Sequence, residues 1–98
     1  MKHAKAEIVR EYGPFPGAAN VGGVTWVDGE LWHGTWENEQ SDLRRIDPHT
    51  GEVLEQLDMP PGLIVSGLEC DGGERFYCGG GTSGKVRVVR RPRRGAAS

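Results

Sequence analysis

The chain repeats itself at an interval of about 45 residues. The run 7–17 is echoed by the run 52–62, with Glu, Pro and Gly at matching positions 45 residues apart. The match continues, since Gly-Val-Thr-Trp (23–26) corresponds to Gly-Leu-Glu-Cys (67–70) and Leu-Arg-Arg-Ile (43–46) corresponds to Val-Arg-Val-Val (86–89). A repeat of this length with several short strands is typical of β-propeller blades. Because two blades cannot close a propeller, the repeat constrains assembly as well as fold.

Each repeat is divided into short strands by residues that favour turns. Asp28-Gly29 is typical of a type I′ hairpin, and Pro48 and Gly51 suit a turn that ends in a left-handed residue. The 16 glycines and the lack of a long amphipathic helical pattern favour an all-β fold built from antiparallel blades. The predicted strands are 22–27, 30–36, 42–47, 52–58, 66–71, 75–79 and 84–91.

The order of the strands predicts assembly with further copies. Within a single domain 1–98, residues 22–58 would form one four-stranded blade and 66–91 a second blade of three strands, followed by a basic tail at 92–98. Residues 5–13 match a fourth strand and would complete the blade of a neighbouring protomer. Such a head-to-tail contact covers open sheet edges and can close into a ring. A six-bladed homotrimer is favoured, followed by a tetramer and a dimer, because propellers have about four to eight blades.

Composition and charge exclude several classes of partner. The formal net charge is -2, which gives no general attraction to nucleic acid or to an anionic membrane. No apolar run approaches the roughly 20 residues of a membrane span. The first residues lack the apolar segment of a signal peptide, so a cytoplasmic protein is expected. The arginines near the end of the chain (positions 87–94) are interpreted as a solvated terminus, with phosphate binding as the alternative.

The two cysteines are predicted to be free thiols. A hairpin around Gly72-Gly73 would place Cys70 opposite about Arg75 and Cys78 opposite about Gly67, too far apart for a disulfide. Their spacing does not match a zinc motif. No metal and no cofactor are therefore predicted.

The candidate ligand-binding residues lie near the ends of predicted strands. Ligands of propellers bind near the axis, on the loops that here are 14–21, 37–41, 60–65 and 79–83. Trp36, with His33 nearby, suits a sugar, an amine or a peptide N-terminus. Asn20 and Ser66 complete the predicted ligand-binding set. Trp26 and Trp32 are instead expected to pack between blades.

Two carboxylates are the catalytic candidates. Glu69 alternates with Leu68 and Cys70 on a strand predicted to line the axis, where it would bind a cation or a basic group, or remain solvated. Glu37 lies beside Trp36. Together with Glu39 it has carboxylate oxygens that could bind Ca²⁺, and the alternative is that both residues belong to a solvated loop. There is no Ser-His-Asp order and no phosphate-binding glycine loop.

A family resemblance covers residues 5–91. The pattern Gly-Val-Thr-Trp-Val-Asp-Gly-Glu-Leu-Trp (23–32), followed by Leu-Arg-Arg-Ile-Asp-Pro-His-Thr-Gly-Glu-Val-Leu (43–54), resembles the repeat of glutamine cyclotransferase-like and related quinoprotein-like or lactonase-like bacterial propellers, and specifically their C-terminal two blades. The sequence predicts a propeller scaffold but contains no complete set of catalytic residues. This favours a homo-oligomeric propeller that binds a small polar ligand or peptide at its axial face. The resemblance implies the alternative of a glutaminyl-peptide cyclotransferase-like enzyme. Its acid/base carboxylate would be Glu69 or Glu37, and Trp36 would be an aromatic wall.

Overall fold

The computed structural model describes residues 2–15, 20–38, 40–80 and 84–92. Within these ranges the chain forms seven strands and no helix. The strands are β1 (Asn20–Val27), β2 (Glu30–Glu37), β3 (Gln40–Ile46), β4 (Val53–Asp58), β5 (Gly67–Cys70), β6 (Arg75–Gly79) and β7 (Val86–Arg90).

The strands form two antiparallel sheets in simple sequential order. The first sheet has the order β1-β2-β3-β4 and the second has the order β5-β6-β7. The all-β prediction is confirmed, and every strand end lies within two residues of its predicted position. Asp28 and Gly29 have φ angles of 49° and 74°, as a type I′ turn requires. Closure into a propeller remains a prediction.

The core lies between the two sheets. Trp32 is fully buried and packs against Phe76, with ring centroids 5.0 Å apart. Leu43 and Val65 are buried with them. Trp26 is 60% exposed within this chain, so its expected packing between blades would need a neighbouring copy and stays a prediction. Successive side chains of a strand point to opposite faces, and Thr25 and Val27 take the inward positions on either side of it.

The sheets approach each other closely where β1 runs beside β5. A Cβ atom on Gly22 would lie 2.4 Å from the Val65 carbonyl oxygen, and one on Gly23 would lie 2.5 Å from the Leu68 nitrogen. The hydroxyl of Thr25 donates to Glu69 Oε1 over 3.1 Å across the same seam. Glycine is therefore required at 22 and 23 by space, and β1 is bulged at this point, between Val21 and Gly23.

Arg91 ties the second sheet to the β1–β2 hairpin. Its guanidinium donates to Asp28 over 2.7 Å, to Glu30 over 3.3 Å and to the Gly73 carbonyl over 2.7 Å. The residue is only 9% exposed. The expectation of a solvated arginine run is therefore wrong at Arg91. The tail residues 93–98 lie outside the described residues.

The described N-terminal residues contain no strand within this chain. Arg10 and Tyr12 both donate to the Pro48 carbonyl, and the Tyr12 ring packs beside Gly51. The segment thus lies against the turn between β3 and β4. The predicted pairing of residues 5–13 with a neighbouring protomer stays a prediction.

The cysteines are both free, and Cys78 is buried. Cys70 lies opposite Phe76 and Cys78 lies opposite Leu68. The predicted cross-strand partners, about Arg75 and Gly67, were each wrong by one position. Burial raises the pKa of the Cys78 thiol, so this thiol stays protonated and packs as a small apolar group.

Candidate functional site

The face of the first sheet that points away from β5–β7 is called the outer face below. Two cavities on it are lined by residues that the structure describes. Trp32 and Leu43 point into the core, so their neighbours His33 and Arg44 point outward. The register places His33 opposite Arg44 and Thr35 opposite Asp42. Side chains of β2 and β3 therefore meet in pairs across this face.

A buried ion pair forms the polar part of the outer face. Arg44 donates to both carboxylate oxygens of Asp42, over 2.9 Å and 3.1 Å. Thr35 donates its hydroxyl to the same carboxylate over 2.5 Å. All three residues are less than 9% exposed. A paired, hydrogen-bonded charge cluster of this kind holds its side chains in one arrangement.

Ser41 links this cluster to the loop that enters the second sheet. Its hydroxyl donates to the Thr35 carbonyl over 2.6 Å and accepts from the Val65 amide over 2.9 Å. Ser41 is buried, so these bonds are shielded from water. The start of β3 is thereby fixed to both β2 and the segment before β5.

A polar cavity of about 430 Å³ opens beside the ion pair. On its β4 side, Gln56 donates to the exposed Asp58 over 2.8 Å. The Asp58 carboxylate retains further lone pairs that can accept hydrogen bonds from a ligand. The lining residues are Thr35, Gln40, Ser41, Asp42, Arg44, Gln56 and Asp58. With two carboxylates and one guanidinium, this cavity suits ligands with amino, amide or hydroxyl donors.

An apolar cavity of about 370 Å³ lies on the same face, under the N-terminal segment. None of its lining residues is shared with the polar cavity. Phe15 stacks on His33 with ring centroids 4.6 Å apart and an interplanar angle of 29°. The lining residues are Tyr12, Phe15, Val21, Val24, Leu31, His33 and Ile46.

His33 is the buried polar residue of the apolar cavity. It is 2% exposed, and within the described part of the chain neither ring nitrogen has a hydrogen-bond partner. Burial lowers the pKa of His33, and the Arg44 guanidinium lowers it further. The Gly34 backbone and Asp42 oppose this shift of the pKa, but neither makes a hydrogen bond of acceptable geometry with the ring. The imidazole is therefore neutral near pH 7.

The predicted cluster on β2 is divided between the two faces of the sheet. Trp36 and His33 are three positions apart on a regular strand, so their side chains point to opposite faces. Asn20 lies beside Trp36 and donates to its carbonyl over 3.2 Å. Glu37 is exposed at the end of β2. Glu39 and parts of the predicted ligand loops (16–19 and 81–83) lie outside the described residues.

Glu69 and Ser66 lie in the second sheet and the segment before it. Glu69 accepts the Thr25 hydroxyl and also, over 3.0 Å, its neighbour's amide at Cys70. Ser66 is exposed and donates weakly to the Gly79 carbonyl over 3.4 Å. Glu69, Ser66, Glu37, Trp36 and Asn20 line neither of the two outer-face cavities. Of the predicted site residues, His33 is the one that lines either cavity.

Sequence reasoning did not find Thr35, Asp42 or Arg44. Asp42 and Arg44 are two positions apart on a strand, so alternation alone places them on one face. An Asp and an Arg two positions apart in one strand could have predicted an ion pair on one face of the sheet. The contribution of Thr35 depends on the β2–β3 register and could be inferred only from the hairpin.

The described residues contain no group of three or more His, Cys, Asp or Glu side chains placed to hold a metal ion. None of the segments that the structure covers forms a helix long and apolar enough to cross a membrane.

A family model described as glutamine cyclotransferase matches residues 1–77. This chain belongs to the glutamine cyclotransferase family. The match covers the N-terminal segment, the whole first sheet, β5 and part of β6. Both outer-face cavities of this glutamine cyclotransferase family member are lined by residues within the match. No curated protein and no solved structure matches the chain.

Proposed function

We propose that the chain provides two blades of a homo-oligomeric β-propeller, and that its polar cavity binds a small polar ligand or a peptide through an amino group. The observation that carries this proposal is the cavity formed beside the buried Asp42–Arg44 pair. Its side chains are already held in place by hydrogen bonds within the sheet, so little ordering is needed on binding.

Charge favours an amino group as the recognised part of the ligand. Both oxygens of Asp42 are occupied by Arg44, whereas Asp58 lies exposed at the β4 side of the cavity. An ammonium group bound there would form charge-assisted hydrogen bonds with Asp58. The side-chain carbonyl of Gln56 offers a further acceptor within the same lining. A free peptide N-terminus has the required donors.

Apolar side chains exposed on both sheets support assembly with further copies. Trp26, which lines neither cavity, is 60% exposed on the outer face of the first sheet. On the second sheet, Tyr77, Val86 and Val88 are 38%, 73% and 55% exposed. Apolar surface on both sides of a two-sheet stack is typical of a protein interface. The close approach of β1 and β5, the first strands of the two sheets, is also the arrangement expected near a propeller axis.

Solution mass tests the assembly. Light scattering on the full chain is expected to give a trimer, three times 10.7 kDa. A mass of two or four copies would be consistent with a ring of four or eight blades. A well-folded monomer of 10.7 kDa would contradict the proposed ring.

Ligand recognition is tested with the peptide Gln-Gly-Gly and its N-acetylated form. Two-dimensional NMR is expected to show binding of the free peptide at the polar cavity, with affinity reduced about fivefold by Asp58→Asn. Glu52→Gln makes the same charge change at an exposed residue outside the cavity and serves as the matched control. Equal binding of the acetylated peptide, equal effects of the two variants, or no binding would each reject the cavity as an amine site.

Family membership favours a second candidate, a glutaminyl-peptide cyclotransferase-like enzyme. In that reaction the α-amino nitrogen of an N-terminal Gln attacks its side-chain carboxamide, so that a ring amide forms and ammonia leaves. Glu69 or Glu37 would be the acid/base group, with Trp36 as an aromatic wall. Ammonia release from Gln-Gly-Gly that falls to background in Glu69→Gln or Glu37→Gln would support it. Release at background with the unaltered protein would remove it.

A further inference from the structure

We propose that the apolar cavity beneath the N-terminal segment binds a small neutral aromatic alcohol, with the His33 imidazole as the hydrogen-bond partner of its hydroxyl group. This site is separate from the polar cavity, because the two have no lining residue in common. It is also formed within one chain, between Phe15 and the outer face of the first sheet.

The lining sets the apolar part of the ligand. Val24, Leu31 and Ile46 supply aliphatic walls from three strands, and Phe15 supplies an aromatic wall. A volume of about 370 Å³ falls in the range of small-molecule pockets, roughly 300–1,000 Å³. A flat ring of one or two cycles can pack there beside the Phe15–His33 stack, since aromatic pairs at 4.5–7 Å favour offset or tilted contacts.

His33 sets the polar part. A neutral imidazole has one N–H donor and one acceptor nitrogen. Within the described residues both nitrogens lack a hydrogen-bond partner although the side chain is 2% exposed. Leaving such a group unsatisfied in a buried site is unfavourable, so a ligand that satisfies it binds more tightly than an apolar one of the same shape. A hydroxyl can donate to or accept from either nitrogen.

Charge on the ligand is disfavoured at this site. Arg44 lies opposite His33 in the sheet register, and its positive charge acts on the imidazole, which opposes a cationic head group. The Asp42 carboxylate bound to Arg44 opposes an anionic one. The lining itself contributes no charged side chain. A neutral hydroxyl meets the hydrogen-bonding requirement without burying a charge.

The test compares 2-naphthol with 2-methylnaphthalene, which has the same ring system without the hydroxyl. The full-length chain, labelled with ¹⁵N in its histidines, is titrated with each compound. We expect 2-naphthol to bind about tenfold more tightly and to shift the ring nitrogen signals of His33. In His33→Phe, which keeps an aromatic ring, the two compounds should bind equally, and 2-naphthol should lose about tenfold in affinity.

A second variant leaves His33 in place. Val24→Trp adds bulk at the exposed rim of the cavity and should abolish binding of both compounds. Glu52→Gln, outside the cavity, should leave binding unchanged. The proposal is overturned if neither compound binds, if the hydroxyl gives no advantage in the unaltered protein, or if Val24→Trp binds both compounds normally. Absence of binding would indicate that another copy covers this face. Equal binding of the two compounds would indicate a nonspecific apolar surface, and normal binding to Val24→Trp would indicate a site elsewhere.

Discussion

Thr25 donates its hydroxyl to the carboxylate of Glu69 over 3.1 Å and so joins β1 to β5, the first strands of the two sheets. Thr25 is 6% exposed, whereas Glu69 lies on the exposed side of β5. The carboxylate of Glu69 therefore has a structural role, whether or not it also acts in catalysis. A substitution at Glu69 changes this hydrogen bond as well as any acid/base role of the carboxylate.

Glu69→Gln is expected to fold with nearly unchanged stability, because the amide oxygen can still accept the Thr25 hydroxyl. Thr25→Val removes the donor and should lower the free energy of unfolding by about 1 kcal/mol. Urea denaturation of both variants measures the difference. A loss in Glu69→Gln as large as that in Thr25→Val would show that the negative charge, rather than the hydrogen bond, matters at the seam.

Stability is expected to fall as pH drops below 6.5, the ordinary pKa of histidine, in a way that depends on His33. Burial lowers the pKa of His33 in the folded chain, so the unfolded chain binds more protons in this range and unfolding becomes more favourable. The charged or titratable groups near the ring are Arg44 and Asp42 from β3 and Tyr12 from the N-terminal segment; Val24 faces it from β1. Denaturation at several pH values compares the unaltered protein with His33→Phe.

The exposed histidines His3 and His49 are common to both proteins and cancel in that comparison. The gap in the free energy of unfolding between His33→Phe and the unaltered protein should widen as pH falls. A gap that is constant from pH 8 to pH 5 would show that His33 keeps its ordinary pKa. His33→Phe should also be at least as stable near pH 7, since an apolar ring replaces a buried, unpartnered polar one.

Removing one member of the Asp42–Arg44 pair should be strongly destabilising. The two side chains are 12% and 5% exposed, and Asp42→Ala removes a carboxylate that accepts two hydrogen bonds from a buried guanidinium. A loss of about 3 kcal/mol in the free energy of unfolding is expected. The double variant Asp42→Ala/Arg44→Met should recover a large part of this loss, because both buried charges are then removed. If the double variant is less stable than Asp42→Ala, the pair does not behave as a coupled buried charge.

Gly23→Ala tests the closeness of the two sheets. The added methyl group would lie 2.5 Å from the Leu68 backbone nitrogen, so β1 and β5 would have to separate. The expected loss is about 2–3 kcal/mol, measured by thermal or urea denaturation. Gly79→Ala is the matched control in a strand, since its methyl group would have no neighbour within 4 Å. Equal stability of the two variants would show that the seam can open without cost.

Local patterns predicted the strands well because turn residues and alternation act over a few positions. Asp28-Gly29 and Gly51 adopt the left-handed conformations that their residue types favour. The interactions that sequence reasoning missed join distant positions. Arg91 was assigned to a solvated tail because its partners, Asp28 and Glu30, lie in the β1–β2 hairpin, far earlier in the sequence.

The candidate site was predicted only in part for the same reason. His33 was selected from the sequence, and it lines a cavity. Grouping it with Trp36 overlooked that residues three apart on a strand point to opposite faces. The β1–β2 register, with its bulge between Val21 and Gly23, determines which apolar side chains surround His33. The two-residue turn at Asp28-Gly29 fixes this register as far as Val24 opposite His33, but no local pattern specifies the bulge.

Arg91 also bears on the order in which the chain acquires its structure. Its partners lie 61 and 63 residues earlier, so the guanidinium can bind them only after the β1–β2 hairpin and the second sheet have met. Contacts of such long separation make folding slower, because a large loop must close before the bond is gained. The two sheets are therefore expected to unfold in one cooperative step, even though each contains the turn residues needed to form its own strands.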